Sequence, residues 1–314
     1  MTYEETERVK PPEVVLKDAG FDVSERCCCR PSCFDYAARK SETLIFIKVQ
    51  SDIDILSSGD SWELKAISKC VSAASLLISE KTREKPLEDD TVYSRYDVLA
   101  VTPKTFENIA LHNVHPLIQA GPGGYYVEID GETIKRRRQE LGLSVGEVAE
   151  MIGISRRTLY GYERGMAKAS VTAAYNLVFT LGIPVAKPAN VFEKSESQRK
   201  CFLATAKIAI TKSKFMQKIF RRLARCNITT VKRAPFDFVI NVPEEKVKII
   251  GGVAGDRERE LDRRVEEILS VSKVVRAHPI LITKGQKPPN KDIPCIQSQE
   301  LSKIRKPEDL ISKI

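Results

Sequence analysis

LSVGEVAEMIGISRRTLYGYERG, residues Leu143–Gly165, decides how the rest of the chain is read. It divides into two short helices joined by a tight turn. Val145, Val148, Ala149 and Ile152 recur at helical spacing and give the first helix one apolar face. Ser144 is placed to cap that helix, and Glu147 three residues on completes a capping box. Gly153 stops it, because glycine takes the left-handed conformation after a helix without a Cβ clash. Ser155 caps the next helix. There Leu159 and Tyr162 fall on the inner face, and Arg156, Arg157 and Tyr160 on the outer one. The small Ala149, the Gly four residues later and the apolar Leu159 beyond it let two helices cross at close range.

The stretch resembles the Cro/repressor-type (XRE-like) helix-turn-helix, and the resemblance runs from about Thr133 to about Val185. It takes in a preceding helix, ETIKRRRQELG, the ending YERG, and a fourth helix, SVTAAYNLVFTLG, capped by Ser170 and closed by Gly182. In that family an Arg of the first helix pairs with the Glu of the ending. The matching residues are Arg138 and Glu163, so the resemblance implies a structural ion pair between them. It also implies double-stranded DNA as the partner, with the Ser155–Glu163 helix in the major groove. The DNA-contacting residues it implies are Ser144, Ser155, Arg156, Arg157, Thr158, Tyr160 and Lys168. Arg156 and Arg157 splay by roughly 100° around a helix. One is therefore expected on a guanine and the other on a phosphate, with Arg156 on the base because it shares a face with Tyr160. The family often carries Gln at the start of its second helix, where it touches DNA. Val145 stands there instead, so less base contact is expected of that helix.

At 314 residues the chain has room for two or three domains. With 42% hydrophobic and 30% charged residues it can build cores and stay soluble. A formal net charge of +9, from 51 Lys+Arg against 42 Asp+Glu, suits a nucleic-acid partner. No apolar run approaches the ~20 residues of a membrane span. The start, MTYEETERVK, lacks an apolar signal core, so the expectation is a cytoplasmic protein without membrane contact. Of the eight cysteines, Cys27, Cys28, Cys29 and Cys33 cluster, while Cys70, Cys201, Cys226 and Cys295 are scattered. Only Cys29 and Cys33 have ligand-like spacing, and no second pair stands nearby to complete four ligands. They read as reduced cytosolic thiols. His112 and His115 lack an evident third ligand. No metal or other cofactor is expected.

Ahead of the central stretch the chain reads as an α/β unit. PPEVVLKDAG is a helix ended by Gly20, and CFDYAAR and TLIFIKVQ are strands of a hairpin turned at Lys40–Glu42. A helix capped near Ser61 follows, running into a strand at Leu76–Ser79. TREKPLEDDTVYSR reads as a polar loop, DVLAVT as a buried strand, and PKTFENIA as a helix opened by Pro103. His112–Gly124 reads as a linker, YYVEIDGE as a strand or short hairpin, and VAKPANVF as a second linker. Arg199–Arg225 reads as a long basic helix. The remainder repeats the first unit. Phe236-Asp237 answers Phe34-Asp35 at the head of a strand, and Gly255-Asp256 answers Gly59-Asp60 ahead of a helix.

The two α/β units resemble the restriction-endonuclease-like fold, the PD-(D/E)XK nucleases. That family holds a divalent metal between an Asp at one strand start and a Glu-x-Lys on the next strand. Asp35 and Asp237 match the first position. Phe46 occupies the Glu position, followed by Ile47 and Lys48, and Val247–Ile250 of the second unit offers no carboxylate. Hard cations need oxygen ligands, so the resemblance covers the fold and argues against the activity. The whole arrangement, with RPSCFD (Arg30–Asp35), SWELKAIS and the central stretch, resembles the archaeal HTH-type transcriptional regulatory proteins.

The expected fold class is therefore α/β plus all-α. A central four- to five-helix repressor-like domain (125–190) lies between two related, degenerate restriction-endonuclease-like domains (1–118 and 195–314). The expected function is sequence-specific transcription regulation as a homodimer held partly by the α/β domains, without catalysis. A helix-turn-helix-targeted nuclease and a non-catalytic assembly protein are the alternatives. An effector or protein partner is left open.

Overall fold

The apolar run Leu44–Ile47 and the polar turn ahead of it fold as a hairpin in the computed structural model. The model describes residues 10–193, 228–242, 247–255, 258, 260–284, 292–297 and 299–300. The helix expected over Arg199–Arg225, with Cys201 and Cys226, lies outside those residues, as does Asp256. Two compact units partition the chain without following chain order. One takes in Ser51–Ile53 and Ser79–Val191. The other joins Pro11–Gln50 and Asp54–Ile78 to the described residues from Phe192 onward.

The second unit starts with α1 (Pro12–Asp18), β1 (Asp22–Val23), β2 (Tyr36–Lys40), β3 (Thr43–Val49), α2 (Ser58–Val71) and β4 (Ala74–Ile78). β2 and β3 are antiparallel, with Tyr36 opposite Ile47, and β4 returns parallel to β3 after α2. The cap of α2 is Ser57, not Ser61. The Ser57 side chain accepts the Asp60 amide, while Ser61 is buried inside the first turn.

The first unit is a mixed sheet and a helical cluster. It holds β5 (Thr91–Arg95), β6 (Val98–Val101), α3 (Pro103–His112), β7 (Ile118–Gly121) and β8 (Gly124–Ile129). After these come α4 (Gly131–Glu140), α5 (Val145–Ile152), α6 (Arg156–Glu163), β9 (Ala169–Ser170), α7 (Val171–Leu181) and β10 (Ala186–Lys187). The strands run in the order β6, β5, β7, β8, β10, with β9 also on β8. Three segments read from sequence as loop or linker are therefore strands. β5 lies in the polar loop, β7 in the Gly-rich linker, and β10 in the stretch after Pro184. β5 and β7 turn directly into β6 and β8 as hairpins, while β10 pairs with the distant β8, and in each case pairing overrides weak local propensity. Val127 and Ile129 of β8 enter the same core as Ile134, Val148, Leu159, Tyr162, Leu177 and Leu181, so the helices are seated on the sheet.

The rest of the second unit is β11 (Ile228–Thr230), β12 (Phe238–Val242), β13 (Val247–Ala254), α8 (Leu261–Val275), β14 (His278–Thr283) and β15 (Cys295–Gln297). β12 and β13 are antiparallel, and β14 returns parallel to β13 after α8, the same path as β2, β3, α2, β4. Gly251 is required there: a Cβ would lie 1.9 Å from the Phe238 ring.

The two halves of this unit are latched by reciprocal contacts. Glu63 of α2 accepts the backbone N–H groups of Lys232 and Arg233 at 3.0 and 2.7 Å. Glu267 of α8 accepts those of Cys28 and Cys29, both at 2.9 Å. Arg233 pairs with Asp60, and Arg30 with Glu258 at 2.8 Å. Arg39 of β2 donates to the carbonyls of Val274 and Val275 at the end of α8. Asn241 and Lys248 donate to those of Cys70 and Val71 at the end of α2. Each half thus completes the backbone hydrogen bonding of the other, including helix-end carbonyls that have no partner within their own helix.

Arg264, 1% exposed, is the largest fully buried side chain of the described residues. It donates to Asp237, to Glu258 at 3.0 and 2.9 Å, and to the Pro235 and Val253 carbonyls. Removing one partner of a buried pair costs about 3–5 kcal/mol. Arg264→Leu is expected near the lower end, about 3 kcal/mol, since Arg30 still holds one oxygen of Asp237. Urea unfolding checks this, and a midpoint equal to wild type would contradict it.

Candidate nucleic-acid interface

Local sequence chemistry sets up α5 and α6 with exposed, capped N-termini. The Ser144 side chain accepts the Glu147 amide at 3.2 Å, and Glu147 Oε2 accepts the Ser144 amide at 2.7 Å. That returned hydrogen bond from the Ser144 backbone lowers the Glu147 carboxyl below its usual range. Gly153 closes α5 with φ +76°, and the Ile154 amide turns back to the Ala149 carbonyl at 2.9 Å. Ser155 caps α6 by accepting the Thr158 amide at 3.1 Å, and the two hydroxyls meet at 2.8 Å. Leu159 and Tyr162 are buried, while Arg156, Arg157 and Tyr160 are exposed.

Arg138 fixes this pair of helices from behind. Its Nε and Nη2 donate to the two Glu163 oxygens at 2.6 and 3.0 Å, and Nη1 donates to the Leu143 carbonyl at 2.9 Å. Its hydrogen bond to Glu163 raises the guanidinium pKa further. One side chain therefore joins α4, the turn into α5 and the end of α6. Gly131 permits the close seat of α4, since a Cβ there would lie 2.3 Å from the Tyr162 carbonyl oxygen. Asn176 of α7 donates to the Ile152 carbonyl at 3.3 Å and ties α7 to the end of α5.

Three placements were not legible from sequence. Arg156 lies over the first turn of α5, where a Cβ on Gly146 would come within 2.9 Å of its Nε. Arg164, just past α6, stacks its guanidinium 4.5 Å from the Tyr160 ring centre, a cation–π contact. Lys168 is bound to Gln119 of β7. The signal for the first was the bare Gly146 at a helix position that Ala would favour.

The two nuclease-like carboxylates are structural. Asp35 accepts the Val49 amide at 2.7 Å and Lys48 Nζ at 3.3 Å. Asp237 accepts the Val253 amide at 2.6 Å, Arg30 at 3.0 Å, and Arg264. The Asp35 amide meets the Ile47 carbonyl and the Asp237 amide meets the Gly251 carbonyl, which sets the register of the two halves. Phe46 then corresponds to Ile250 and Lys48 to Gly252, a better alignment than one starting at Val247. Phe46 is fully buried with its ring 4.7 Å from Phe34. Where the nuclease fold needs a second carboxylate, both halves hold hydrocarbon, so these residues do not fit a divalent cation.

The cysteine cluster is bound into the fold. Cys27 and Cys33 are buried. Burial, and then the hydrogen bond to Glu267, pushes the Cys29 thiol up to about 12. It stays protonated at neutral pH, which makes it a poor nucleophile. His115 Nε2 lies 3.3 Å from Asn113 Oδ1.

Comparison with known proteins agrees with these two kinds of structure. A family model described as a PD-(D/E)XK superfamily domain matches residues 7–116, and one described as Helix-turn-helix matches residues 134–187. A protein of Methanosarcina barkeri named "Putative HTH-type transcriptional regulatory protein" is 31% identical, covering 96% of this chain and 93% of its own length. One of the same name from Pyrococcus furiosus is 30% identical over 96% and 95%. Another from Methanocella arvoryzae is 33% identical over 94% and 91%. No solved structure matches the chain. Among the described residues no helix is long and apolar enough to cross a membrane.

Glu163→Ala strips Arg138 of its carboxylate in a site where both side chains are about nine-tenths buried. The expected loss is on the order of 3 kcal/mol, read as a lower melting temperature, with binding to all DNA weakened alike. A mutant that melts like wild type would show that the pair does not hold the helices.

Proposed function

The chain belongs to the family of archaeal HTH-type transcriptional regulatory proteins, and on that premise we propose that it regulates transcription by binding double-stranded DNA sequence-specifically as a homodimer. The observation that carries this reading is the pair of exposed arginines on the first turn of α6, a helix clamped by Arg138 and capped by Ser155. A helix so held can enter the major groove with its N-terminal turn toward base edges. Ser144 and Ser155 head two helices whose first N–H groups suit phosphates. Thr158 and Tyr160 lie along the same exposed surface, and Lys168 adds positive charge beside it. A single reading head makes few base contacts, so two-fold binding to paired half-sites supports the specificity.

The arginines divide the work in this reading. Arg156 rests over the first turn of α5, beside the N–H groups suited to a phosphate, so it takes the phosphate. Arg157 takes the base edge. This reverses the division that a shared face with Tyr160 suggests. In sequence terms the protein is a central reader (125–190) between two related flanks (1–118 and 195–314). The flanks are degenerate nuclease-like units that work without catalysis. The protein acts in the cytoplasm, where its DNA is.

Two measurements test the reading. On a site selected from random DNA, Arg157→Ala should relax preference at one position by about 1–3 kcal/mol. Arg156→Ala should weaken binding to every sequence and lower the salt slope by about one. If neither variant changes preference or slope, α6 is not the reader. With Mg²⁺ or Mn²⁺ the full chain should leave plasmid and branched DNA intact. Cleavage that disappears in Asp35→Asn would establish a nuclease instead.

A further inference from the structure

Helix α7 carries an apolar stripe that the DNA-reading surface does not use. Val171, Tyr175, Val178 and Phe179 stand at i, i+4, i+7 and i+8, one face of a helix. They are 38%, 70%, 39% and 82% exposed. The opposite face, Ala173, Ala174, Leu177 and Leu181, fills the core. Two aromatic rings one turn apart, mostly in water, are an unfavourable use of a helix that already has a buried face. We propose that this stripe is the surface through which two copies of the chain meet. The inference rests on the dimeric reading above and assigns the contact to α7 rather than to the α/β halves.

Self-complementarity makes a second copy the occupant that this stripe suits. Each chain carries a net charge of +9, and a contact free of charge adds no close-range repulsion to that between the two copies. The sequence of α7, VTAAYNLVFTL, has no charged residue. A two-fold contact sets the same patch against itself, and an uncharged apolar stripe is self-complementary. Area is consistent too. With about 200 Å² for each fully exposed ring, Tyr175 and Phe179 present about 300 Å² per copy. Paired, the rings alone supply about 600 Å², half of the ~1,200 Å² at which specific interfaces begin. The two valines and a rim that includes Thr172 supply more. In the α/β halves, by contrast, the helices α2 and α8 are already engaged by the latches within one chain.

The test is the mass of the full chain by sedimentation velocity between about 1 and 50 µM. Wild type is expected at twice the 35.2 kDa chain mass. Phe179→Lys and, separately, Tyr175→Lys are expected to weaken the dimer at least tenfold while the circular dichroism spectrum of the folded chain is unchanged, because both side chains face solvent in the single chain. Trp62→Lys, on an exposed position of α2, should remain dimeric. A wild-type monomer across this range would overturn the inference, the stripe then being covered by this chain's own residues or by another protein. Dimers that survive both α7 variants, or that dissociate in Trp62→Lys alone, would also overturn it. Site-selected DNA binding is measured in parallel. If wild type binds no DNA yet dimerises through α7, the regulator reading falls and this inference stands. If DNA binding is sequence-specific but the α7 variants stay dimeric, the reverse holds.

Discussion

The Arg138 guanidinium holds three places at once, and the geometry of α5 and α6 depends on it. Two nitrogens grip Glu163 at the end of α6 and a third holds the Leu143 carbonyl ahead of α5. A lysine could supply the charge but not the planar fork that meets two carboxylate oxygens and a carbonyl together. Burial makes the arrangement demanding: either charge left alone there costs several kcal/mol. The close seat of Gly131 on the Tyr162 carbonyl comes from the same packing. This buried fork keeps the angle of α6 against α4 and α5 constant.

In the second unit two aspartates take equivalent places in two hairpins of the same path. Asp35 and Asp237 head equivalent strands and each accepts one amide of the neighbouring strand. That local role needs the carboxylate whether or not a metal is bound. Their charge is balanced differently. Lys48 on β3 does it for Asp35. Gly252 stands at the matching place on β13, and Arg264 reaches across from α8, with Arg30 from the other half. The missing lysine is replaced from another element because the buried charge must be paired. The latches between the halves follow from similar chemistry. Glutamates receive orphan amides, and long polar side chains receive orphan carbonyls at helix ends.

Much of the α5–α6 geometry was legible in sequence because its determinants are local. A Ser and a Glu three residues apart make a capping box, a Gly at the turn makes a left-handed cap, and period 3.6 separates Leu159 and Tyr162 from Arg156, Arg157 and Tyr160. The β2–β3 and β12–β13 hairpins were legible for the same reason. β7 and β10 were not. The Gly-rich stretch becomes strand by folding back on β8 in a tight hairpin, Gly121 opposite Gly124, which its glycines hide as a linker, and the Pro-flanked β10 becomes strand only because β8, distant in sequence, offers its edge. The division into compact units was likewise hidden, because it groups Pro11–Gln50 with residues beyond Phe192.

The sequence by itself determined the helices of the helix-turn-helix with their caps and the two hairpins β2–β3 and β12–β13, since those depend on side chains within a few residues of one another. It also determined that Phe46 stands where the nuclease motif carries a carboxylate, since that side chain is hydrocarbon in any fold. Only the tertiary structure decided that Arg264 neutralises Asp237, that Glu267 holds the Cys28–Cys29 loop, that Arg156 lies on Gly146, and that the outer face of α7 stands exposed. Each of these is a contact or a vacancy between residues that the backbone alone brings together, and pairing at long range leaves no local pattern to read.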